Sequence, residues 1–271
     1  MEKFKEINMF NISIVILNYK SKGFTLNCIK SIKEADFKDL KYEIIVVDNN
    51  SGDSIGEILG WQYPDVIFVQ NKENLGHGAG NNVGIKRANG RYISITNADT
   101  IVLPNAFNKL YKYMEENKDV GIVGPQQLNT NKTIQDSCYR WYSLLPPIYR
   151  RTPLGKLKFA KKNLDKFLMK DFDHRQEKEV DWLLGSFLFC RAKALDEVGL
   201  FDERFFLYFE DTDLCRRFWE KNWKIVYNPE AKIIHNHARA SAQDPWYKLL
   251  FNKVARYHIV SWVKYLKKWG V

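Results

Sequence analysis

The amino-acid sequence predicts an α/β protein: a mostly parallel, twisted, doubly wound sheet with helices on both faces. Three observations carry that expectation. Short runs rich in Ile and Val recur through the first half of the chain. Segments with apolar residues at helical spacing stand between them, and the joining loops are short. Continuous β-branched runs are strands buried on both faces, and strands alternating with helices over short loops wind into a parallel sheet.

The elements follow in order. Residues 11–18 are an apolar run closing on Asn18, the first strand. Residues 23–35 place Leu26, Cys28, Ile29 and Ile32 at helical spacing. Residues 42–47 form a second strand that runs into Asp48-Asn-Asn-Ser51, and Asp53 is suited to cap a helix from residue 54. Residues 66–70 are a third strand, followed by a glycine-rich turn (Gly76, Gly78, Gly80) and a helix over 81–88. Residues 92–96 are a fourth strand ending in Asn97-Ala-Asp99. A helix over 104–118, with Pro104 in its first turn, leads to a strand over 120–125. The rhythm then breaks. Residues 140–180 hold Pro146-Pro147, Pro153 and many cations, and read as a long mobile basic insertion or lid. One strand over 180–190, a helix over 211–222 and a strand over 223–234 return to the core. Residues 246–271 form a basic, aromatic, amphipathic helix. The expected division is a domain over 1–245, carrying the insertion, and the terminal helix.

Composition narrows the class. The chain has 271 residues and a net charge of +10. Residues 140–180 hold eleven Lys/Arg against five acids, and residues 246–271 hold six Lys/Arg and no acid, so the surplus sits in two blocks. Such blocks favour an anionic partner. Cys28, Cys138, Cys190 and Cys215 lack metal-site spacing and read as reduced thiols of a cytosolic protein. The first ten residues mix charges and lack the apolar core of a secretory leader. No run approaches the roughly 18 apolar residues of a membrane span.

Three of the predicted strands end in polar residues: Asn18, Asp48 and Asn97-Ala-Asp99. In a doubly wound sheet these carboxyl ends line one edge, where ligands bind. Asp48 and Asn18 are suited to accept or donate to a base or ribose. The glycines at 76, 78 and 80 either serve a tight turn or admit a phosphate or ribose. They lack the dinucleotide offsets and follow the third strand, which argues against NAD. Downstream, Phe209-Glu210-Asp211-Thr-Asp213 is a second acidic cluster that also reads as a helix start. One cluster can hold a cation while the other takes a proton.

These pieces occur in an order that resembles family 2 glycosyltransferases of the GT-A fold. They are Ile14 to Tyr19, Ile45 to Ser51, Asn74-Leu-Gly76 with Gly80-Asn81-Asn82, Asn97-Ala-Asp99, Trp182 to Gly185, Gly199-Leu-Phe-Asp202, Glu210-Asp211-Thr-Asp213 and His235. The set spans roughly residues 10–241 and looks most like the branch that transfers rhamnose from dTDP-rhamnose in polysaccharide assembly. Relatives in that branch use UDP-galactofuranose or other nucleotide sugars.

The resemblance implies roles. Asp211 is the general base, with Glu210 beside it holding acceptor hydroxyls or raising its pKa. Asp48 contacts the base, with Asn18, Asn74, Asn82 and Asn97 around base, ribose or phosphate. Asp99 is the charged ligand of a divalent cation, Mg²⁺ or Mn²⁺, since the first Asp of the family's D-x-D is Asn97 here. His235 and His237 either join that cation or the diphosphate, or are loop histidines. Arg239 is suited to the diphosphate. Trp182 and Gly185 wall an acceptor or sugar pocket, or Trp182 is core.

The resemblance further implies a nucleotide-sugar donor and a lipid-linked or oligosaccharide acceptor. The basic helix at 246–271, with Leu249, Leu250, Val254, Tyr257 and Val260 as its apolar stripe, suits an anionic membrane interface or packing on the domain. The expected place is therefore the cytoplasm, peripheral at the inner face of the cell membrane, with a homodimer left open. A sugar-nucleotide pyrophosphorylase would carry a glycine-rich signature with a lysine near the first strand, which residues 14–22 lack. A nucleic-acid partner would leave the placed carboxylates and asparagines without a role.

Overall fold

A computed structural model describes residues 9–236 and 252–270. In chain order the elements are β1 (Phe10–Asn18), α1 (Lys22–Lys33), β2 (Tyr42–Asp48), α2 (Ile55–Gln62), β3 (Ile67–Gln70), α3 (His77–Ile85), β4 (Gly90–Asn97) and β5 (Thr100–Val102). Next come α4 (Ala106–Glu116), β6 (Val120–Leu128), β7 (Cys138–Tyr139), α5 (Leu145–Arg151), α6 (Lys158–Phe167), β8 (Lys178–Glu179), β9 (Trp182–Leu183) and β10 (Phe187–Arg191). The chain closes with α7 (Ala192–Val198), α8 (Glu210–Glu220), β11 (Lys224–His235) and α9 (Lys253–Trp269).

The main sheet runs β3-β2-β1-β4-β10-β6-β11-β5, with β8 beside β11. The first half is parallel: β1 pairs β2 and β4, and β2 pairs β3. β10 enters antiparallel between β4 and β6, β6 and β11 are parallel, and β5 is antiparallel to β11. Alternate strand residues feed two cores, one on each face. Ile12, Ile14 and Ile16 of β1 join Ile29 and Ile32 of α1 and Phe107 and Leu110 of α4. Val15 of β1, with Ile45 and Val47 of β2, joins Leu195 of α7 and Leu214 and Phe218 of α8. Two-faced burial is what the near-continuous apolar runs demand.

Three elements differ from the sequence expectation. α3 begins at His77 because the glycine turn is itself the first helical turn. Gly76 enters it at φ +87°, and a Cβ there would stand 2.3 Å from the Phe206 carbonyl. The single strand expected over 180–190 is broken at Leu184-Gly185-Ser186. Leu184 N–H donates to Ser137 O, Ser186 O accepts from Asn97 N–H, and Gly185 N–H turns elsewhere. Residues 145–167 are a folded hairpin: α5, a 3-10 turn at Pro153–Lys156, and α6. Its proline pair occupies the first turn of α5, where no backbone donor is needed. Phe167 at its end is buried among Tyr139, Tyr142 and Trp182.

α9 packs on the domain. Ala255, His258, Ser261 and Tyr265 are its buried face, Ser261 Oγ donates to Leu207 O, and Lys268 pairs with Asp202 and Asp213. The apolar stripe expected from the sequence is divided: Tyr257 packs on Phe206 with ring centroids 4.5 Å apart, whereas Val260 is half exposed. Leu249 and Leu250 lie outside the described residues. All four cysteines are free and buried, and among the described residues no helix is long and apolar enough to cross a membrane.

Candidate active site

Parallel register aligns the strand ends. Asn18 is opposite Asp48, Leu17 opposite Asn97, and Asp48 opposite Gln70. Asp48 is buried and accepts from Asn18 Nδ2 (2.7 Å), Ser51 N–H (3.0 Å), Gln70 Nε2 (2.8 Å) and the Ser51 hydroxyl. Burial pushes its carboxyl up, but the donors from Ser51, Asn18 and Gln70 outweigh burial and leave it below the usual carboxylate range. Asn18 Oδ1 accepts from Ser21 and Thr25, so this asparagine ties β1 to the start of α1. Beside Asp48 opens a cavity of about 450 Å³ lined by Asn50, Asp53, Gln70, Asn71 and Lys72.

Asn74 lies one shell back. Its Oδ1 accepts from Asn49 Nδ2 (2.8 Å) and Gly76 N–H (2.9 Å), which shapes the glycine turn. Asn82 is buried and fully engaged elsewhere. Its amide donates to Phe201 O and Glu203 Oε1, and its carbonyl accepts from Phe201 N–H, clamping the loop before α8.

Asn97 meets the acidic cluster through a residue the sequence reading passed over. His77 Nε2 lies 3.0 Å from Asn97 Oδ1, and His77 Nδ1 forms a charge pair with Glu210 Oε1 at 2.9 Å. Burial lowers the His77 pKa, but Glu210 and Asn97 raise it more, to about 9, so the ring is an imidazolium at neutral pH. The only sequence signal was a histidine within a glycine-rich turn.

Glu210 and Asp211 open α8, reached through Tyr208 and Phe209, both in the left-handed region (φ +68°). Asp211 Oδ2 accepts from Gly185 N–H at 2.9 Å, and Oδ1 accepts from Thr212 N–H at 2.7 Å. Glycine at 185 lets the two come this close: a Cβ there would lie 3.0 Å from the Asp211 Cβ and push the carboxylate back by a few tenths of an ångström. Burial, then the Glu210 charge, lift the Asp211 pKa to about 6 against the two backbone donors and His77. Glu210 Oε2 is buried without a hydrogen-bond donor among the described residues. Asp213 is fully buried and holds Arg217 and Lys268.

Asp99 and His235 meet across the β5–β11 pairing, which sets His235 opposite Thr100. His235 Nε2 is 3.4 Å from Asp99 Oδ1, and His235 Nδ1 lies 2.7 Å from Gln135 Oε1. An amide oxygen only accepts, so Nδ1 donates to Gln135 and Nε2 is the ring nitrogen that faces the carboxylate. Two acceptors converging at a partly open position suit a cation whose other ligands come from phosphate and water. Among the described residues no group of three or more His, Cys, Asp or Glu forms a metal cage.

Trp182 is core: it stacks on Tyr139 at 4.3 Å and donates Nε1–H to Arg140 O. Of the two, only Gly185 reaches the acidic cluster. His237 and Arg239 lie outside the described residues.

The mixed sheet brings polar strand ends and the acidic cluster of α8 together at one edge, the crevice where α/β sheets bind ligands. The family profile described as "Glycosyl transferase family 2" matches residues 13–172, more than half of the chain, and the protein belongs to that family. It is a glycosyltransferase. N-acetylglucosaminyl-diphospho-decaprenol L-rhamnosyltransferase of Mycobacterium tuberculosis is 27% identical over 221 residues, covering 74% of this chain and 69% of its own. Rhamnosyltransferase WbbL of Escherichia coli K12 is 25% identical over 268 residues, covering 95% and 93%. Among solved structures, GalNAc-T7 with UDP, GalNAc and Mn²⁺ superposes with a TM-score of 0.64 at 14% identity. That match covers 84% of this chain and 44% of GalNAc-T7, and shows the GT-A fold. The acidic cluster at 210–213 lies beyond the matched profile.

Proposed function

We propose that the protein transfers a sugar with inversion, rhamnose from dTDP-rhamnose, onto a glycan acceptor carried on a lipid diphosphate at the inner face of the cell membrane. The observation that carries the chemistry is the Asp211 carboxylate, raised to about 6 and fixed by Gly185 and Thr212. A base of that pKa is ionised at neutral pH yet basic enough to share a proton in the transition state. Asp211 takes the proton of the acceptor hydroxyl. The hydroxyl oxygen bonds to the anomeric carbon as the bond to the diphosphate oxygen breaks on the opposite face. Glu210 Oε2, with no donor of its own among the described residues, accepts from a second acceptor hydroxyl. Asp48 takes the base, held in place by Asn18, and the His77–Asn97 pair faces the donor's phosphates.

A divalent cation, Mg²⁺ or Mn²⁺, fits Asp99 and His235; when bound it offsets charge on the departing diphosphate. Gln135 holds the His235 tautomer that leaves Nε2 available. The rhamnose assignment is supported by the names of both relatives, and the lipid-diphosphate acceptor by the name of the Mycobacterium tuberculosis one alone. UDP-galactofuranose or a UDP-hexose are the alternative donors.

The test is calorimetric titration with dTDP-rhamnose, UDP-galactose, UDP-glucose and GDP-mannose, with and without Mg²⁺. Mg²⁺-dependent binding of the dTDP sugar alone is expected. Preference for a UDP or GDP sugar overturns the donor, and binding of none overturns the nucleotide site.

A further inference from the structure

We propose that the hairpin of α5 and α6, residues 144–162, is the surface that seats the protein on an anionic lipid bilayer. The proposal rests on the membrane-peripheral reading above and assigns it to a defined face. Fourteen large apolar side chains are exposed among the described residues, and five of them, Leu144, Leu145, Leu154, Leu157 and Phe159, fall within sixteen consecutive positions. Phe159 is 63% exposed. An apolar cluster of this kind on a soluble fold marks an interaction surface.

Charge names the partner. Residues 144–162 contain six Lys/Arg and no acid. Lysines on other exposed helices sit beside acids, as in Lys30–Glu34, Lys112–Glu116 and Lys193–Glu197. Lys156, Lys158, Lys161 and Lys162 are exposed, and among the described residues no acid pairs with them. Apolar side chains interleaved with unpaired cations are complementary to an interface of acyl chains and anionic headgroups.

The face is presented by a built hairpin. Thr152 Oγ1 donates to Ile148 O, and Gly155 packs so close that a Cβ would meet Tyr149 O at 2.1 Å. Phe167 and Tyr142 anchor the hairpin on Trp182, three residues before the Gly185 that holds Asp211. A bilayer engaged by the hairpin therefore lies next to the acceptor side of the acidic cluster. α9 is the weaker candidate: its outer face exposes only Val260 and Val263 as apolar groups, and Lys264 and Lys268 are bonded to the domain.

The test is co-sedimentation of the full chain with phosphatidylcholine vesicles containing or lacking phosphatidylglycerol. Each cation near such a surface contributes about fivefold, so Lys158→Gln/Lys161→Gln/Lys162→Gln should weaken partitioning roughly 100-fold on anionic vesicles. Leu154→Ser/Leu157→Ser/Phe159→Ser should weaken it at least tenfold. Arg256→Gln/Lys267→Gln on α9 should change it less than threefold, and circular dichroism and nucleotide binding should stay unchanged in all three. Wild-type binding that survives both hairpin variants overturns the assigned face while leaving the membrane reading intact. Absence of wild-type binding overturns both. A hairpin variant that turns a dimer into a monomer without altering partitioning assigns the patch to a second copy and also overturns the proposal.

Discussion

Glu210→Gln isolates the charge that tunes the proposed base. The substitution keeps the shape of the side chain and removes its negative charge. Asp211 stands at about 6 against an ordinary value of 3.8, a rise of about 3 kcal/mol at 1.36 kcal/mol per unit. Burial is the larger cause and Glu210 the second, so the variant should lower the acid limb of the kcat/KM profile while leaving it above the ordinary carboxylate range. His77 loses its carboxylate partner in the same variant, which offsets part of the fall, because the imidazolium charge lowers the Asp211 value. His77→Gln should move the limb the other way, since it removes a cation and leaves Glu210. The assay is the pH dependence of kcat/KM for the donor identified by calorimetry, between pH 4.5 and 8. Opposite displacements by the two variants are expected. An acid limb that moves in neither variant, or upward in Glu210→Gln, would refute Asp211 as the group titrating there.

Three other outcomes follow from the same geometry. Asp211→Asn should cut kcat by at least about 100-fold, the contribution of a positioned general base, with donor affinity unchanged by calorimetry; full turnover removes Asp211 from the chemistry. His77 is raised from 6.5 to about 9, so its contribution to stability, about 3 kcal/mol, is fully present below pH 6.5 and lost as pH rises through 9. Urea midpoints at pH 6 and 9.5 should show that loss in the wild type and a much smaller one in His77→Gln; equal slopes in both would contradict it. Gln135→Met should weaken Mn²⁺-dependent nucleotide binding by about 10- to 100-fold through the freed His235 ring, with metal-free binding as the internal control.

The parallel half of the fold was legible because its strands are buried on both faces, so an apolar run and the polar residue that ends it mark both the strand and the sheet edge. Asn18, Asp48 and Asn97 came out at that edge for this reason. The Gly185–Asp211 approach was not legible, because it depends on a break within one apolar run and a backbone N–H that leaves the sheet. His77 was hidden for a related reason: its partners Asn97 and Glu210 come from separate elements that only the folded chain brings together. The packing face of α9 was not legible from apolar periodicity because it buries polar groups. Ser261 and Tyr265 go inward since Leu207 O and Arg216 satisfy them, while Val260 stays out. Pro146-Pro147 concealed a helix, since a breaker inside a helix is harmless in its first turn.

The clamp between α3 and the loop before α8 governs how this enzyme can be re-engineered. His77 N–H donates to Phe206 O, Asn82 grips both the N–H and the carbonyl of Phe201, and Gly78 packs under Phe201 and Glu210. The position of the acidic cluster is thus dictated by a helix far earlier in the chain. A chimera that grafts a relative's residues from 180 onward, to import its acceptor preference, inherits a loop cut for another enzyme's glycine turn. Residues 76–82 have to travel with the graft. The modular unit of this fold is therefore discontinuous in sequence, and a crossover placed at the apparent midpoint would separate a carboxylate from the helix that aims it.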